Sequence, residues 1–178
     1  NSIELAATIV YSMGVCMMFG FSALYHRVDW TSRVLTIMRR LDHSAIFVMI
    51  AGSFTPICLL VLPGDTGIQL LFIIWSIAGI GILQSVLFTE TPRLIRAGIY
   101  LVAGYMVIPY LSVMFSVMSM TNFTLTTAGG TIYTVGAIGY GFKFPDISPK
   151  YFGYHEFFHV LVSIAAVLHF IVVYSIVG

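Results

Sequence analysis

Long apolar runs separated by short polar interruptions dominate the pattern of this chain. A membrane-spanning helix needs about 20 consecutive, mostly apolar residues, and the polar interruptions divide the sequence into six runs of about this length. The strands of a membrane β-barrel would instead alternate apolar and polar side chains over roughly ten residues, and stretches such as 68–82 lack this alternation. The pattern predicts six membrane-spanning helices, near residues 3–25, 42–62, 67–88, 97–118, 122–142 and 153–177.

The interruptions carry residues that end helices and form turns. A Pro-Gly-Asp turn lies at 63–65, the sequence Glu-Thr-Pro-Arg lies at 90–93, and Pro145 and Pro149 lie before the last run. Every connection is short, which leaves no room for a soluble domain. We therefore predict an all-α fold, a single polytopic helical membrane bundle over residues 1–178.

Composition supports a membrane protein and excludes two broad functional classes. Hydrophobic residues make up 59% of the 178 residues and charged residues 8%, whereas a soluble domain carries about 25% charged residues. Eight basic and seven acidic side chains cannot cover the surface of a soluble domain, so soluble enzymes are excluded. The net charge of +1 and the absence of a Lys/Arg run also exclude nucleic-acid binding.

Positive charge is confined to alternate connections. All eight Lys and Arg residues fall in the first, third and fifth connections. The positive-inside rule therefore predicts that residues 27–41, 89–96 and 143–152 face the cytoplasm of a cell-membrane protein, with the C-terminus outside. Because the chain begins at Asn1 rather than Met, we also expect an earlier helix and a cytoplasmic N-terminus in the whole protein.

Polar and ionisable side chains inside the predicted spans mark a candidate functional site. An ionisable group near the middle of a membrane helix costs roughly 2.5–3.5 kcal/mol, so its presence needs a reason. Six polar or ionisable residues fall near the same predicted membrane face: Ser22 and His26 close the first span, Asp42 and His43 open the second, and His155 and His159 open the sixth. The helix assignment did not use these residues, so their convergence indicates a polar site near the cytoplasmic side.

The spacing of the histidines favours a metal ion. Residues four apart share one helical face, roughly 6 Å apart along the axis, so His155 and His159 can bind one ion, and a third imidazole can come from His26 on another helix. Three neutral imidazoles and a water form the ligand set of a catalytic Zn²⁺ site, where the pKa of water falls to about 7. Asp42 is then the candidate base and Ser22 the candidate oxyanion donor.

Several of these residues also have simpler interpretations. A histidine at a helix end is commonly an interfacial residue, Asp42 can pair with a neighbouring arginine, and Ser22 can be a packing residue between helices. His43 points about 100° away from Asp42 on a helix, and His169 lies near the opposite membrane face, so we expect both to be structural. Tyr154 is expected to be an interfacial anchor or a lipid-facing residue.

Residues 155–159 also read His-Glu-Phe-Phe-His, the H-E-x-x-H signature in which the glutamate is the general base of a metalloprotease. Glu156 is therefore the alternative base, and an intramembrane protease is an alternative function. Only His169 follows as a further ligand, and no Leu-Asp-Gly or Asn-Pro-Asp-Gly pattern occurs downstream. The protease is therefore the weaker interpretation.

Four blocks occur in order along the chain. They are Ser-Ala-Leu-Tyr-His-Arg at 22–27, Leu-Asp-His-Ser-Ala-Ile-Phe at 41–47 followed by Ile-Ala-Gly-Ser-Phe-Thr-Pro at 50–56, Ala-Gly-Gly-Thr-Ile-Tyr-Thr-Val-Gly at 128–136, and the pair His155 and His159 followed by His-Phe at 169–170. Together these blocks resemble the hemolysin III family. That family belongs with the progestin and adipoQ receptors, which include the adiponectin receptors, and more distantly with the alkaline ceramidases.

The resemblance implies a fold of seven membrane helices, of which this chain holds six, with a cytoplasmic N-terminus and an external C-terminus. It implies that His26, His155 and His159 hold zinc, that Asp42 contacts the metal-bound water, and that Ser22 lies nearby. Members of adiponectin-receptor or ceramidase character are associated with hydrolysis of ceramide-like lipid amides. The resemblance thus agrees with the site that the residues themselves indicate.

These observations predict a zinc-dependent membrane hydrolase that cleaves an amide or ester bond of a membrane lipid near the cytoplasmic leaflet. An apolar helical site is reached most easily from the bilayer, which favours a lipid substrate. One alternative is a zinc-stabilised sensor of membrane lipid or fluidity that has no catalytic activity. Pore formation, which the family name suggests, is less favoured because the polar cluster lies at only one membrane face.

Overall fold

The computed structural model describes residues 1–148 and 150–178, so Pro149 lies outside the described residues. Seven α-helices occur in the described part of the chain: α1 (Ser2–Arg27), α2 (Ser32–Leu60), α3 (Gly64–Leu87), α4 (Arg93–Tyr105), α5 (Leu111–Val117), α6 (Met120–Phe142) and α7 (Tyr154–Val177). A 3₁₀ turn, Ile108–Tyr110, precedes α5. The described residues form no strand longer than an isolated bridge between Ser148 and Phe152. The predicted all-α class is therefore confirmed.

Five segments within the described residues are long and apolar enough to cross a membrane: Ser2–Arg27, Ser32–Leu60, Gly64–Leu87, Arg93–Val117 and Tyr154–Val177. Large apolar side chains such as Phe72 and Ile80 are mostly exposed, as expected where lipid rather than water is the solvent. The chain is therefore a multi-pass membrane protein.

Helix α6 matches the predicted span 122–142 in position but is not one of these five segments. Its threonines and glycines make it less apolar than the other long helices. The hydroxyls of Thr126, Thr127, Thr131 and Thr134 each donate to the carbonyl four residues earlier at 2.8–2.9 Å. Because these donors are satisfied within the helix, they need no partner from water or from another helix.

Helix α2 is longer than the sequence pattern predicts. It begins at Ser32, whereas the span was predicted to begin near residue 42. Residues 32–41 were assigned to a polar connection because they include three arginines, but arginine is a good helix former and five of these ten residues are apolar. Asp42 and His43 therefore lie within α2 rather than at its start, and the first connection shrinks to residues 28–31.

The added turns of α2 are held by contacts to the segment that follows α3. Arg39 Nη1 forms an ion pair with Glu90 Oε1 at 3.1 Å, and Arg40 Nε donates to Thr89 Oγ1 at 3.2 Å. These contacts join residues about 50 positions apart, and a local hydropathy pattern does not contain them. They explain why the sequence alone places the start of α2 too late.

The predicted span 97–118 is a helix with a break. Helix α4 ends at Tyr105, and the chain passes through the 3₁₀ turn, in which the Tyr110 N–H donates to Val107 O at 2.9 Å. Pro109 lies four residues after Tyr105; it has no N–H to donate to that carbonyl, and its ring would clash with it. The remaining predicted helices begin and end close to the observed positions.

The chain divides into two compact units, residues 1–90 with Val177 and residues 91–176 with Gly178. In the first unit α1 and α3 both pack against α2. Glycines permit close approach: a Cβ on Gly14 would lie 3.3 Å from the Val48 carbonyl oxygen, and one on Gly52 would lie 3.3 Å from that of Val10. At these two glycines the backbones of α1 and α2 approach each other closely, as is common between membrane helices.

In the second unit α4 packs against α6, and α6 meets α7 around His169. The His169 side chain is 9% exposed, and its Nε2 lies 3.2 Å from the Thr126 carbonyl oxygen. Its ring lies over Gly129, where a Cβ would come within 2.5 Å of the imidazole. These contacts support the structural role expected for His169.

We expect Gly129→Ala to destabilise the second unit by about 1–3 kcal/mol, because the added methyl group has to displace the buried His169 ring. The measurement is the midpoint of thermal unfolding in detergent, which should fall by at least about 3 °C. Gly130→Ala is the matched control, because a Cβ there meets nothing within 4 Å. Equal midpoints for the two variants would contradict the proposed packing.

Candidate metal centre

His155 and His159 lie on the first two turns of α7 and face each other. Their Nε2 atoms are 3.0 Å apart, and their ring planes meet at 83°. A tetrahedral zinc ion with Zn–N bonds of about 2.05 Å needs two ligand nitrogens about 3.3 Å apart. A small rotation of either ring therefore turns this pair into two ligands of one ion, as the four-residue spacing predicts.

Aromatic side chains surround His155 within the second unit. The Tyr140 ring from α6 lies 5.7 Å from the His155 ring and 5.1 Å from that of Phe158. Tyr154 lies 6.4 Å from His155 on another side, and its hydroxyl accepts a 2.8 Å hydrogen bond from Arg93 Nη1. These neighbours make His155 half-buried and restrict the positions that its ring can adopt.

Sequence reasoning did not identify these neighbours of the histidine pair. Arg93 was used to mark a helix boundary and to orient the chain in the membrane, and Tyr154 was expected to be an interfacial anchor or a lipid-facing residue. Tyr154 does adjoin a candidate ligand in the sequence, which is a weak signal. No signal was available for Tyr140, because it lies on a different helix and nothing in the pattern of α6 sets it apart.

Glu156, the alternative base, interacts with the start of its own helix. Its Oε2 accepts a 3.0 Å hydrogen bond from the Gly153 N–H. A carboxylate in the first turn of a helix satisfies an N–H group that has no partner within the helix, and it interacts favourably with the helix dipole. This contact gives Glu156 a structural function that needs no metal.

In the first unit, His26 lies in the last turn of α1. Its side chain is exposed, and the Tyr25 ring packs edge-on against it with 4.5 Å between centroids. Ser22 is one turn earlier on the same helix and is half-buried. Asp42 is half-buried within α2, and the adjacent His43 is buried.

His155 and His159 each offer a ring nitrogen and belong to the second unit, whereas His26 belongs to the first. Imidazole nitrogens suit zinc well. All three are histidines that the sequence selects as candidate ligands.

Comparison with known proteins identifies the family. The family model described as "Haemolysin-III related" matches residues 1–170. A Bacillus subtilis (strain 168) protein named Hemolysin-3 homolog is 32% identical over 140 residues, which is 79% of this chain and 65% of that protein. Hemolysin-3 of Bacillus cereus is 36% identical over 134 residues, which is 74% of this chain and 60% of that protein.

A human protein is also similar along most of the chain. The Monocyte to macrophage differentiation factor of Homo sapiens is 28% identical over 173 residues, covering 93% of this chain and 68% of that protein. The chain spans less than two thirds of the length of the two bacterial relatives. The family resemblance inferred from the four sequence blocks is confirmed, and this chain belongs to the haemolysin-III-related family of multi-pass membrane proteins.

Proposed function

We propose that this chain binds zinc through His26, His155 and His159 and hydrolyses an amide or ester bond of a membrane lipid. The observation that carries the proposal is the His155–His159 pair, whose ring nitrogens face each other at 3.0 Å on α7. Two half-buried imidazoles at this separation have the spacing of metal ligands. The third neutral donor of the proposal is His26, which the sequence pattern and the family resemblance select. The orientation with residues 27–41, 89–96 and 143–152 in the cytoplasm and the C-terminus outside is part of this proposal.

Zinc, when bound, supplies Lewis acidity and lowers the pKa of water. The histidines hold the ion while neutral, and an all-neutral ligand set leaves it more electrophilic than one containing thiolates. Asp42 takes the proton-accepting role, because an ionisable side chain within a membrane helix is costly unless it is used. Ser22 shares a face of α1 with His26 and donates a hydrogen bond to the substrate carbonyl oxygen.

A lipid substrate follows from the surroundings of the site. The candidate ligands lie at the ends of helices whose other side chains are largely apolar and exposed, such as Phe19, Val160 and Ile164. The transfer of a substrate with acyl chains from the bilayer into this region is favourable in free energy, whereas the transfer of a water-soluble substrate is not. An amide or ester at the headgroup boundary then reaches the ligands near the membrane face.

The protease alternative has less support, because the Glu156 carboxylate already binds the Gly153 N–H at the start of α7. The names of the bacterial relatives point to lysis of cells, which a protein can cause by forming a pore or by hydrolysing lipid. A zinc-stabilised lipid or fluidity sensor shares the metal site but lacks the reaction. One panel of variants separates these functions.

The test is lipid hydrolysis by the zinc-loaded protein in nanodiscs that contain ceramide and ester lipids, with released fatty acid measured by mass spectrometry. We expect wild type to release fatty acid, and Asp42→Asn to do so about 10²–10⁴-fold more slowly, the usual contribution of a general base. Glu156→Gln keeps an oxygen for the Gly153 N–H and should stay within about threefold of wild type. Zinc content is measured for each variant and should be unchanged.

Three results would contradict this assignment. Zinc-loaded wild type that cleaves no lipid amide or ester favours the sensor. Loss of activity in Glu156→Gln, with activity retained in Asp42→Asn, favours the H-E-x-x-H mechanism. Leakage of a dye from liposomes that persists after zinc removal, without hydrolysis, favours a pore.

A further inference from the structure

The last turn of α1, which carries His26, is held by a side chain from the following connection. The final carbonyl groups of a helix have no N–H partner within the helix. The Trp30 indole Nε1 donates to the carbonyl oxygen of Leu24 at 2.8 Å. One of the four terminal carbonyls is thereby satisfied two residues before the candidate ligand, and the chain leaving α1 is folded back over the helix end.

The His26 ring itself is held by its neighbour. The Tyr25 and His26 ring centroids are 4.5 Å apart with the planes at 61°, an edge-to-face contact. His26 is exposed, whereas His155 is packed among aromatic rings of the second unit. Contacts at the end of α1 therefore bear directly on this candidate ligand.

We propose that Trp30 and Tyr25 are positioning residues that set the zinc affinity of His26. This inference rests on the proposed zinc site. Trp30 fixes the backbone of the last turn of α1, and the Tyr25 ring restricts the rotamers of the His26 side chain. A ligand that is already ordered loses less conformational entropy when the ion binds, and groups around metal ligands commonly contribute 10–100-fold to metal affinity.

The experiment is competition of the purified full chain in detergent with a chelator for zinc, together with the visible absorption spectrum of the cobalt-loaded protein. We expect Trp30→Phe, which removes the indole donor but keeps an aromatic ring, to weaken zinc binding about 10–100-fold. Tyr25→Leu should weaken it about 10-fold, and Tyr25→Phe should restore affinity to within about threefold of wild type. The cobalt spectrum should change in intensity for Trp30→Phe and Tyr25→Leu, because ligand geometry changes.

Trp75→Phe is the matched control. The Trp75 indole lies in the same unit and also donates one side-chain hydrogen bond, to Thr55 Oγ1 at 3.1 Å. It should lower the unfolding midpoint without changing zinc affinity. This comparison separates a general loss of stability from a specific effect on His26.

The variant His26→Ala distinguishes failure of this inference from failure of the proposed zinc site. If His26→Ala loses zinc while Trp30→Phe and Tyr25→Leu bind it as wild type does, the positioning role is wrong and the zinc site stands. If His26→Ala itself binds zinc as tightly as wild type, the proposed ligand set is wrong. If Trp30→Phe does not fold, Tyr25→Leu and Tyr25→Phe still decide the question.

Discussion

Replacing His155 by alanine is expected to lower zinc affinity by more than about 100-fold, the upper range for residues that only support a ligand. The His155–His159 pair supplies two of the three proposed donors, and its nitrogens are 3.0 Å apart. Removing one imidazole leaves two ligands from different helices, which no longer form a chelate on one helical face. The measurement is zinc per chain after dialysis, followed by chelator competition.

Glu156→Gln provides the control within the same five residues. The side-chain amide oxygen can still accept from the Gly153 N–H, so α7 should begin at the same place and the zinc content should equal that of wild type. Zinc retained by His155→Ala, or lost from Glu156→Gln, would show that the imidazole pair is not the metal site. The hydrolase proposal would then lose its main support.

Replacing Gly67 by alanine is expected to give the largest loss of stability among the glycine variants, about 3 kcal/mol. Gly67 lies in the first turn of α3, and a Cβ there would overlap the Cys58 carbonyl oxygen of α2. Because the obstacle is backbone and not a flexible side chain, α2 and α3 have to separate. Thermal unfolding in detergent should show a midpoint lower by about 6–12 °C.

Gly64→Ala is the control for this prediction. Gly64 lies on the same first turn of α3, and a Cβ there meets nothing within 4 Å. Its midpoint should match that of wild type or rise slightly, because alanine favours the helix over glycine. A Gly67→Ala midpoint equal to that of Gly64→Ala would contradict the close approach of α2 and α3 at Gly67.

The family relationship bears on function only in part. It agrees with a multi-pass membrane protein, and the proposal of zinc binding rests on the three histidines rather than on the names of relatives. The two candidate carboxylates illustrate why geometry is needed. Glu156 fits a protease motif in sequence but is hydrogen-bonded to the helix start, whereas Asp42 lies outside any short motif of the histidine pair.

The sequence by itself determined the helical class and most helix positions, because length and apolar character are local properties that a membrane makes decisive. Where it was wrong, contacts distant in sequence or a local steric effect decided. Residues 32–41 became part of α2, where Arg39 and Arg40 have partners beyond α3. Pro109 indicates the break after Tyr105, but the hydropathy pattern does not, because the residues around the break are apolar.

For the site, the sequence selected His155 and His159 because residues four apart necessarily share a helical face. Only the tertiary structure decided what surrounds the histidines: Tyr140 lies beside His155, and Gly129 lies under the structural His169. At the end of the helix that carries His26, Trp30 donates to the carbonyl of Leu24. Helical periodicity specifies which face a residue occupies. What that face meets depends on how helices pack and how connections fold back, and one local pattern is compatible with many such arrangements.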